Sequence, residues 1–225
     1  ILDPGAKYVV DIMHPGGGKT GSTLPLGVKG QFQLESGEAI DYSFADIVNP
    51  VVFVAGECLG LDGTELNSEV SQNAPVMKTL EEVRELAAVA SRLCKTREMA
   101  RLEYRAIPKV AYVAKPQDYM TSTGKLIRKE DYHILARMVS MEKMHRTFAM
   151  SALLNLAAMC LLEGTIPYAL TSADSGKREQ IIRIGHPEGI AEIRIGKMPE
   201  KEDILYVGLE RTVRKIMSGD LYTTL

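Results

Sequence analysis

The run Thr147-Phe148-Ala149-Met150-Ser151-Ala152-Leu153-Leu154-Asn155-Leu156-Ala157-Ala158-Met159-Cys160-Leu161-Leu162 constrains the fold of this chain more than any other stretch. Read as one helix, its sixteen residues make a rod of roughly 24 Å, the width of a small domain. Thr147, Ser151 and Asn155 recur every four residues and leave one narrow polar stripe on a cylinder that is otherwise apolar. A helix apolar nearly all round is a buried one. It is too short, and too closely flanked by charge, for a membrane span of about 20 apolar residues. The pattern therefore predicts the central helix of a globular domain. Its first amides have no internal partners and carry the positive end of the helix dipole, so a carboxylate or phosphate could bind there. Ser140-Met141-Glu142-Lys143-Met144-His145 leads into that end and puts polar side chains at its head.

Composition supplies the rest of such a core. Of 225 residues 45% are hydrophobic, enough for one sizeable core or two modest ones. The 27 basic and 29 acidic side chains are interspersed, so neither a nucleic-acid nor a membrane partner is expected. Cys58, Cys94 and Cys160 are far apart with apolar neighbours, a usage that fits a reducing, cytoplasmic setting. No Cys-x-x-Cys pair or close His/Cys cluster is present, so no metal site is expected. The opening Ile1-Leu2-Asp3-Pro4 has no signal-peptide organisation and reads as the interior of a longer protein.

Along the chain, Tyr8 to Met13 predicts a strand ending in the glycine-rich His14 to Gly21. That loop is not a P-loop, because Met13 stands where the first glycine must be, and a flexible surface loop is the better reading. Gly27 to Val54 predicts several short strands interrupted at Asn49-Pro50, a turn or bulge whose Asn49 amide could instead face a cleft. Pro75 opens a surface helix. Met77, Leu80, Val83, Leu86 or Ala87, Ala90 and Cys94 form its packed face, against solvated Lys78, Glu81, Glu82, Arg84 and Arg92. Lys109 to Ala114 predicts a buried strand, and Pro116 to Lys125 a loop. Tyr132 to Met141 fits a short helix and a strand equally. Ile181 to Ile184 and Ile190 to Ile195 predict a hairpin with His186 at its tip, and Leu205 to Val213 and Ile216 to Tyr222 complete a β-rich tail. His14 and His133 read as surface residues.

Several segments, in order, carry a family resemblance. They are Leu2-Asp3-Pro4, Ile47 to Val54, Leu59-Gly60-Leu61-Asp62-Gly63-Thr64-Glu65 and Pro108 to Ala114. They continue through Arg137-Met138-Val139-Ser140-Met141 with His145, then Gly164-Thr165-Ile166-Pro167 and Gly185-His186-Pro187-x-Gly189. With these the chain resembles the carboxy-terminal half, and somewhat more, of the PrpF-type isomerases: 2-methylaconitate isomerases, 3-methylitaconate Δ-isomerases and 4-oxalomesaconate tautomerases.

The resemblance implies an α+β fold like that of diaminopimelate epimerase, with two similar domains, each a sheet curled around a central helix, and the active site between them. It resolves Tyr132 to Met141 as a strand. It assigns residues 1–41 to the end of the amino-terminal domain, 42–212 to the carboxy-terminal domain, and 213–225 to a final strand returning to the first. In the epimerases the head of this helix carries a catalytic cysteine and amides that hold a substrate carboxylate. Here Met150 takes the cysteine's place, and methionine cannot take a proton from carbon. A second departure is Leu24-Pro25-Leu26-Gly27, where the family usually has Pro-Thr-Gly.

The implied reaction is a 1,3 proton shift moving a carbon–carbon double bond in a small unsaturated di- or tricarboxylate, with no cofactor. On this reading the chain holds no catalytic residue, a lysine and a cysteine being expected upstream, and the fragment alone would be inactive. Asn49, Ser140, Met141, His145, Met150, Ser151 and His186 would bind the polycarboxylate, and a homodimer is compatible with the family. A non-catalytic polycarboxylate-binding homologue is the competing reading, whereas an amino acid racemase is disfavoured because two-base racemisation needs a thiol at Met150.

Overall fold

The computed structural model describes residues 5–174, 176–198, 203–220 and 222. Leu2-Asp3-Pro4, Leu221 and residues 223–225 lie outside the described residues. The strands are β1 (Ala6–Met13), β2 (Gly30–Gln33), β3 (Ala39–Ile47), β4 (Asn49–Ala55), β5 (Lys109–Ala114), β6 (Tyr119–Met120), β7 (Leu126–Ile127), β8 (Ile134–Ser140), β9 (Lys143–Met144), β10 (Glu179–His186), β11 (Gly189–Lys197) and β12 (Ile204–Val213). The helices are α1 (Asn67–Gln72), α2 (Ala74–Ala90), α3 (Arg97–Leu102), α4 (Met150–Met159) and α5 (Ile166–Leu170). One ten-stranded sheet runs β1-β12-β11-β10-β8-β5-β4-β3-β2, with β9 paired to β8 off that path. Its pairs are antiparallel except β4–β5 and β8–β10.

This sheet curls around α4, which packs against β3 and β4 on one side and β10, β11 and β12 on the other. β5 shows why its run is apolar without alternation. Ala111 and Val113 face the cluster around α4, while Val110 and Tyr112 face a second cluster formed with α2. A strand covered on both faces has no solvent side to make polar. The ambiguous stretch is strand β8, alternating in the same way, with Ile134, Ala136 and Met138 toward α4.

The central helix is shorter than its apolar run. It spans ten residues, about 15 Å, instead of sixteen. Beyond it, Gly164 turns the chain at φ 81°, and the Thr165 hydroxyl donates to the carbonyls of Met159 at 2.8 Å and Leu162 at 2.9 Å. Cys160, Leu161 and Leu162 stay buried outside the helix, so apolarity there reports burial rather than helicity.

Two details of α2 also differ from the pattern. It stops at Ala90, with Arg92 at φ 61°, so Cys94 packs from the following turn against the underside of α3. Glu82 and Arg84, expected in solvent, are buried. Sequence periodicity did not anticipate α3, whose Ala100 carbonyl, together with that of Tyr104, accepts from the Arg84 guanidinium at 2.9 Å.

The segment before residue 41 supplies both sheet edges, β1 on β12 and β2 on β3. After Val213, residues 214–220 and 222 form no strand, in contrast to the one expected over Ile216 to Tyr222.

Candidate active site

Strand registers bring several of the polar candidates to one rim. β4 and β5 are parallel and pair Val51 with Lys109. β8 runs opposite to β5, so its last residue, Ser140, meets the start of β5, and Lys109 Nζ donates to Ser140 Oγ at 3.3 Å. β10 is parallel to β8, and its last residue, His186, follows the Gly185–Leu135 pair, which sets it beside the middle of β8 and near His145. Asn49 opens β4.

α4 has its head at this rim. The Asn155 amide donates to the carbonyls of Ala45 (2.9 Å), Ile47 (3.2 Å) and Asn49 (2.9 Å). Further along the chain, the Ile166 amide donates to Ser43 Oγ at 2.9 Å. The helix thus runs from the Asn49 end of the β3–β4 hairpin toward the Ser43 end, and Met150 and Ser151 lie beyond Asn155 at the open end.

That head is uncapped. Ala149 occupies the N-cap position with no side-chain hydrogen bond, a position that prefers Ser, Thr, Asp or Asn. The amides of Met150 and Ser151 have no hydrogen-bond acceptor among the described residues. Met150 is half exposed, and its sulfur contacts the Arg211 guanidinium. An open groove of about 610 Å³ lies alongside, where Phe148, Met150 and Leu153 meet Arg183 and Arg211 and the carboxylates of Asp131, Glu192 and Glu210.

Lys109 was not anticipated from the sequence. Its ammonium is half-buried, donates to the Ala106 carbonyl at 3.2 Å and to Ser140, and makes no ion pair among the described residues. Burial holds its pKa below the usual lysine range. The only signal available was a single charge immediately before a five-residue apolar run.

The two candidate histidines share one arrangement. His145 Nδ1 accepts from the Thr147 amide at 3.3 Å, and His186 Nδ1 from the Glu188 amide at 3.3 Å. Each neutral ring therefore carries its proton on Nε2 as a donor. Burial, then the Lys109 charge, lowers the pKa of His145. Burial, then the Arg137 guanidinium, pushes His186 down to about 4 against the opposing pull of Glu188, and His145 lies close enough to add to that effect. Arg137, also missed, is a buried cation held by the Glu65 carbonyl at 3.3 Å and the Tyr119 ring at 5.2 Å.

The remaining candidates have plainer settings. Met141 and Glu142, at φ 54° and 62°, form the turn between β8 and β9, and Met141 is exposed. Val48 at φ 62° makes Asn49 part of a tight hairpin, and the Asn49 side chain has no protein partner among the described residues. His14 is exposed, but His133 is half-buried against Arg183, because the end of α5 covers that side of β8.

The glycine-rich loop is neither a phosphate cradle nor loose. Asp46 Oδ2 accepts from the Lys19 and Thr20 amides, both at 2.6 Å, and from the Thr20 hydroxyl at 3.0 Å. The chain's own carboxylate takes the donors an anion would use.

Comparison with known proteins gives a consistent result. The family described as PrpF protein matches residues 1–224. The chain is 32% identical to the 3-methylitaconate isomerase of Eubacterium barkeri over 96% of its own length and 56% of the relative's. It is 27% identical to the 2-methyl-aconitate isomerase of Shewanella oneidensis over 97% of its own length and 56% of the relative's, and 23% identical to the 4-oxalomesaconate tautomerase of Pseudomonas putida over 95% and 52%. The crystal structure of methylitaconate-delta-isomerase superposes with a TM-score of 0.83 at 28% identity, over 93% of this chain and 54% of that one. The chain spans about half the length of the curated relatives it matches.

Proposed function

The chain belongs to the PrpF protein family, and from that premise we propose that the protein it forms part of is an isomerase moving a carbon–carbon double bond in a small unsaturated di- or tricarboxylate. Relatives bearing the names of isomerases of 3-methylitaconate and 2-methylaconitate, and of a 4-oxalomesaconate tautomerase, support that substrate class. The observation that carries the reading for this chain is the donor set at one rim: two uncapped amides at the head of α4, the Lys109 ammonium without a carboxylate, and the Nε2–H groups of His145 and His186.

Removing an allylic proton spreads negative charge into the adjacent carboxylate. Fixed donors stabilise that enolate-like charge without reorganising as it forms. In this account the amides of Met150 and Ser151 hold one carboxylate, and Lys109, with Ser140 and His145, holds the charge that grows. Asn49 and His186 complete the pocket, and Met141 forms its outer wall. Neither Met150 nor the neutral imidazoles is the base. We assign that role, with a lysine and a cysteine, to residues that this chain does not contain.

β1 and the segment following Val213 would face those residues. Tyr8, Val9, Val10, Ile216 and Met217 are exposed apolar side chains there. The three cysteines are free, in keeping with a reducing compartment. Among the described residues no helix is long and apolar enough to cross a membrane.

Met150 at the helix head equally fits a non-catalytic polycarboxylate binder, and Ser151→Pro in the complete protein separates the alternatives. It deletes one amide donor at a helix position that tolerates proline. A raised KM with folding intact supports the isomerase site at α4. Weakened carboxylate binding with no turnover even in the unaltered protein supports the binder.

A further inference from the structure

Arg183, on β10, has no acceptor for its guanidinium among the described residues. Its Nε is buried without a hydrogen-bond partner. Its backbone amide donates to His133 Nδ1 at 3.1 Å, so the neutral His133 ring carries its proton on Nε2 and has no lone pair left to offer. Burial, then the Arg183 charge, keeps that ring neutral. The 3.3 Å approach of a guanidinium nitrogen to His133 Nε2 therefore sets one donor against another. A buried polar group left in this state calls for a ligand, a water or an ion.

The pocket beside it has the charge to supply the missing partner. It is an open pocket of about 530 Å³ at the end of β5, β8 and α5 remote from Lys109 and Ser140. Lys115 and Lys129 join Arg183 on its wall, and none of the three makes an ion pair among the described residues. Among the described residues Glu130 is the carboxylate lining this pocket, while Asp131, Glu192 and Glu210 line the groove on the Met150 side of Arg183. Thr171 and Ser172 also line it, their hydroxyls donating to the His133 carbonyl at 3.2 and 3.4 Å. A guanidinium offers paired donors in the geometry of an oxyanion, and the two exposed lysines add charge.

We propose that this pocket is a second anion site, taking a small multiply charged oxyanion in a bidentate contact with Arg183, which stands between it and the groove beside Met150. Two sources share that chemistry, an inorganic or esterified phosphate and a polycarboxylate.

The test is calorimetric titration of the purified protein with inorganic phosphate and, separately, with tricarballylate, a saturated tricarboxylate that cannot isomerise. Phosphate binding that is weakened about tenfold or more in Arg183→Gln, and also weakened in the exposed variant Lys115→Ala, supports the site and its phosphate source. The same pattern with tricarballylate, surviving in Ser151→Pro, supports the carboxylate source. Thermal unfolding of each variant checks that the fold persists, and Lys115→Ala keeps the test open if Arg183→Gln does not fold. Absence of binding by both anions, or binding unchanged in both Arg183→Gln and Lys115→Ala, overturns the proposal. Loss of binding in Ser151→Pro alone places the anion at the helix head and overturns it as well.

Discussion

Lys109 Nζ donates to Ser140 Oγ at 3.3 Å, joining the first residue of β5 to the last residue of β8 at the rim where α4 begins. No carboxylate of the described residues neutralises that ammonium, so an unpaired positive charge stands at the Ser140 end of β8. A hydrogen bond to a charged group is worth roughly 1.5–3 kcal/mol. In the complete protein, Lys109→Met should therefore raise KM for the polycarboxylate roughly 10- to 100-fold, by the same figure. Steady-state kinetics at varied substrate checks this, and an unchanged KM removes Lys109 from the site.

Ser151→Pro should cost less. It deletes one uncharged amide donor but leaves the helix, since proline fits the first turn where no internal bond is lost. An increase in KM of about tenfold, with the unfolding midpoint nearly unmoved, is expected from the loss of one hydrogen bond to a charged ligand.

Asn155 anchors the helix to the sheet through three carbonyls of β3 and β4. Asn155→Leu keeps the branched shape, adds bulk at a fully buried position and removes the donors to those carbonyls, so the protein should lose about 2–4 kcal/mol of stability. Urea unfolding reads this as a lower midpoint with unchanged slope, and a midpoint at the wild-type value contradicts the anchoring role.

His186 sets a pH dependence. Its folded pKa of about 4 lies below the ordinary value of 6.5, so between those limits the unfolded chain binds the extra proton. Stability from this group is present above about pH 6.5 and falls as pH drops toward 4. Replacing His186 with Gln, which keeps a donor and does not titrate, should flatten that part of the stability profile. Equal slopes in wild type and variant count against it.

The strands and the central helix were legible because burial leaves its mark on composition. β5, and β8 apart from Arg137, are apolar on both faces, and α4 is apolar nearly all round, Asn155 excepted. What could not be read was where burial and helix part company, at Cys160 to Leu162, and where a charge is buried by a neighbour not evident in the sequence, as with Arg84 under α3. The site followed the same division. Ser140, His145 and the α4 head form consecutive sequence and were found together. Lys109 lies 31 residues before Ser140 and meets it only through strand pairing, which no local pattern encodes. The glycine-rich loop read as loose because its partner, Asp46, lies 26 residues beyond Thr20.

Proton NMR of the complete protein in deuterium oxide, with methylitaconate, 2-methylaconitate and 4-oxalomesaconate in turn, decides between an isomerase and a binding protein. The account predicts migration of the double bond in at least one of them, with deuterium appearing at the carbon that receives the proton, and a large loss of that rate at sub-saturating substrate in Lys109→Met. Absence of both migration and deuterium exchange with all three, from folded protein that still binds them, would contradict it and leave a binding protein in its place.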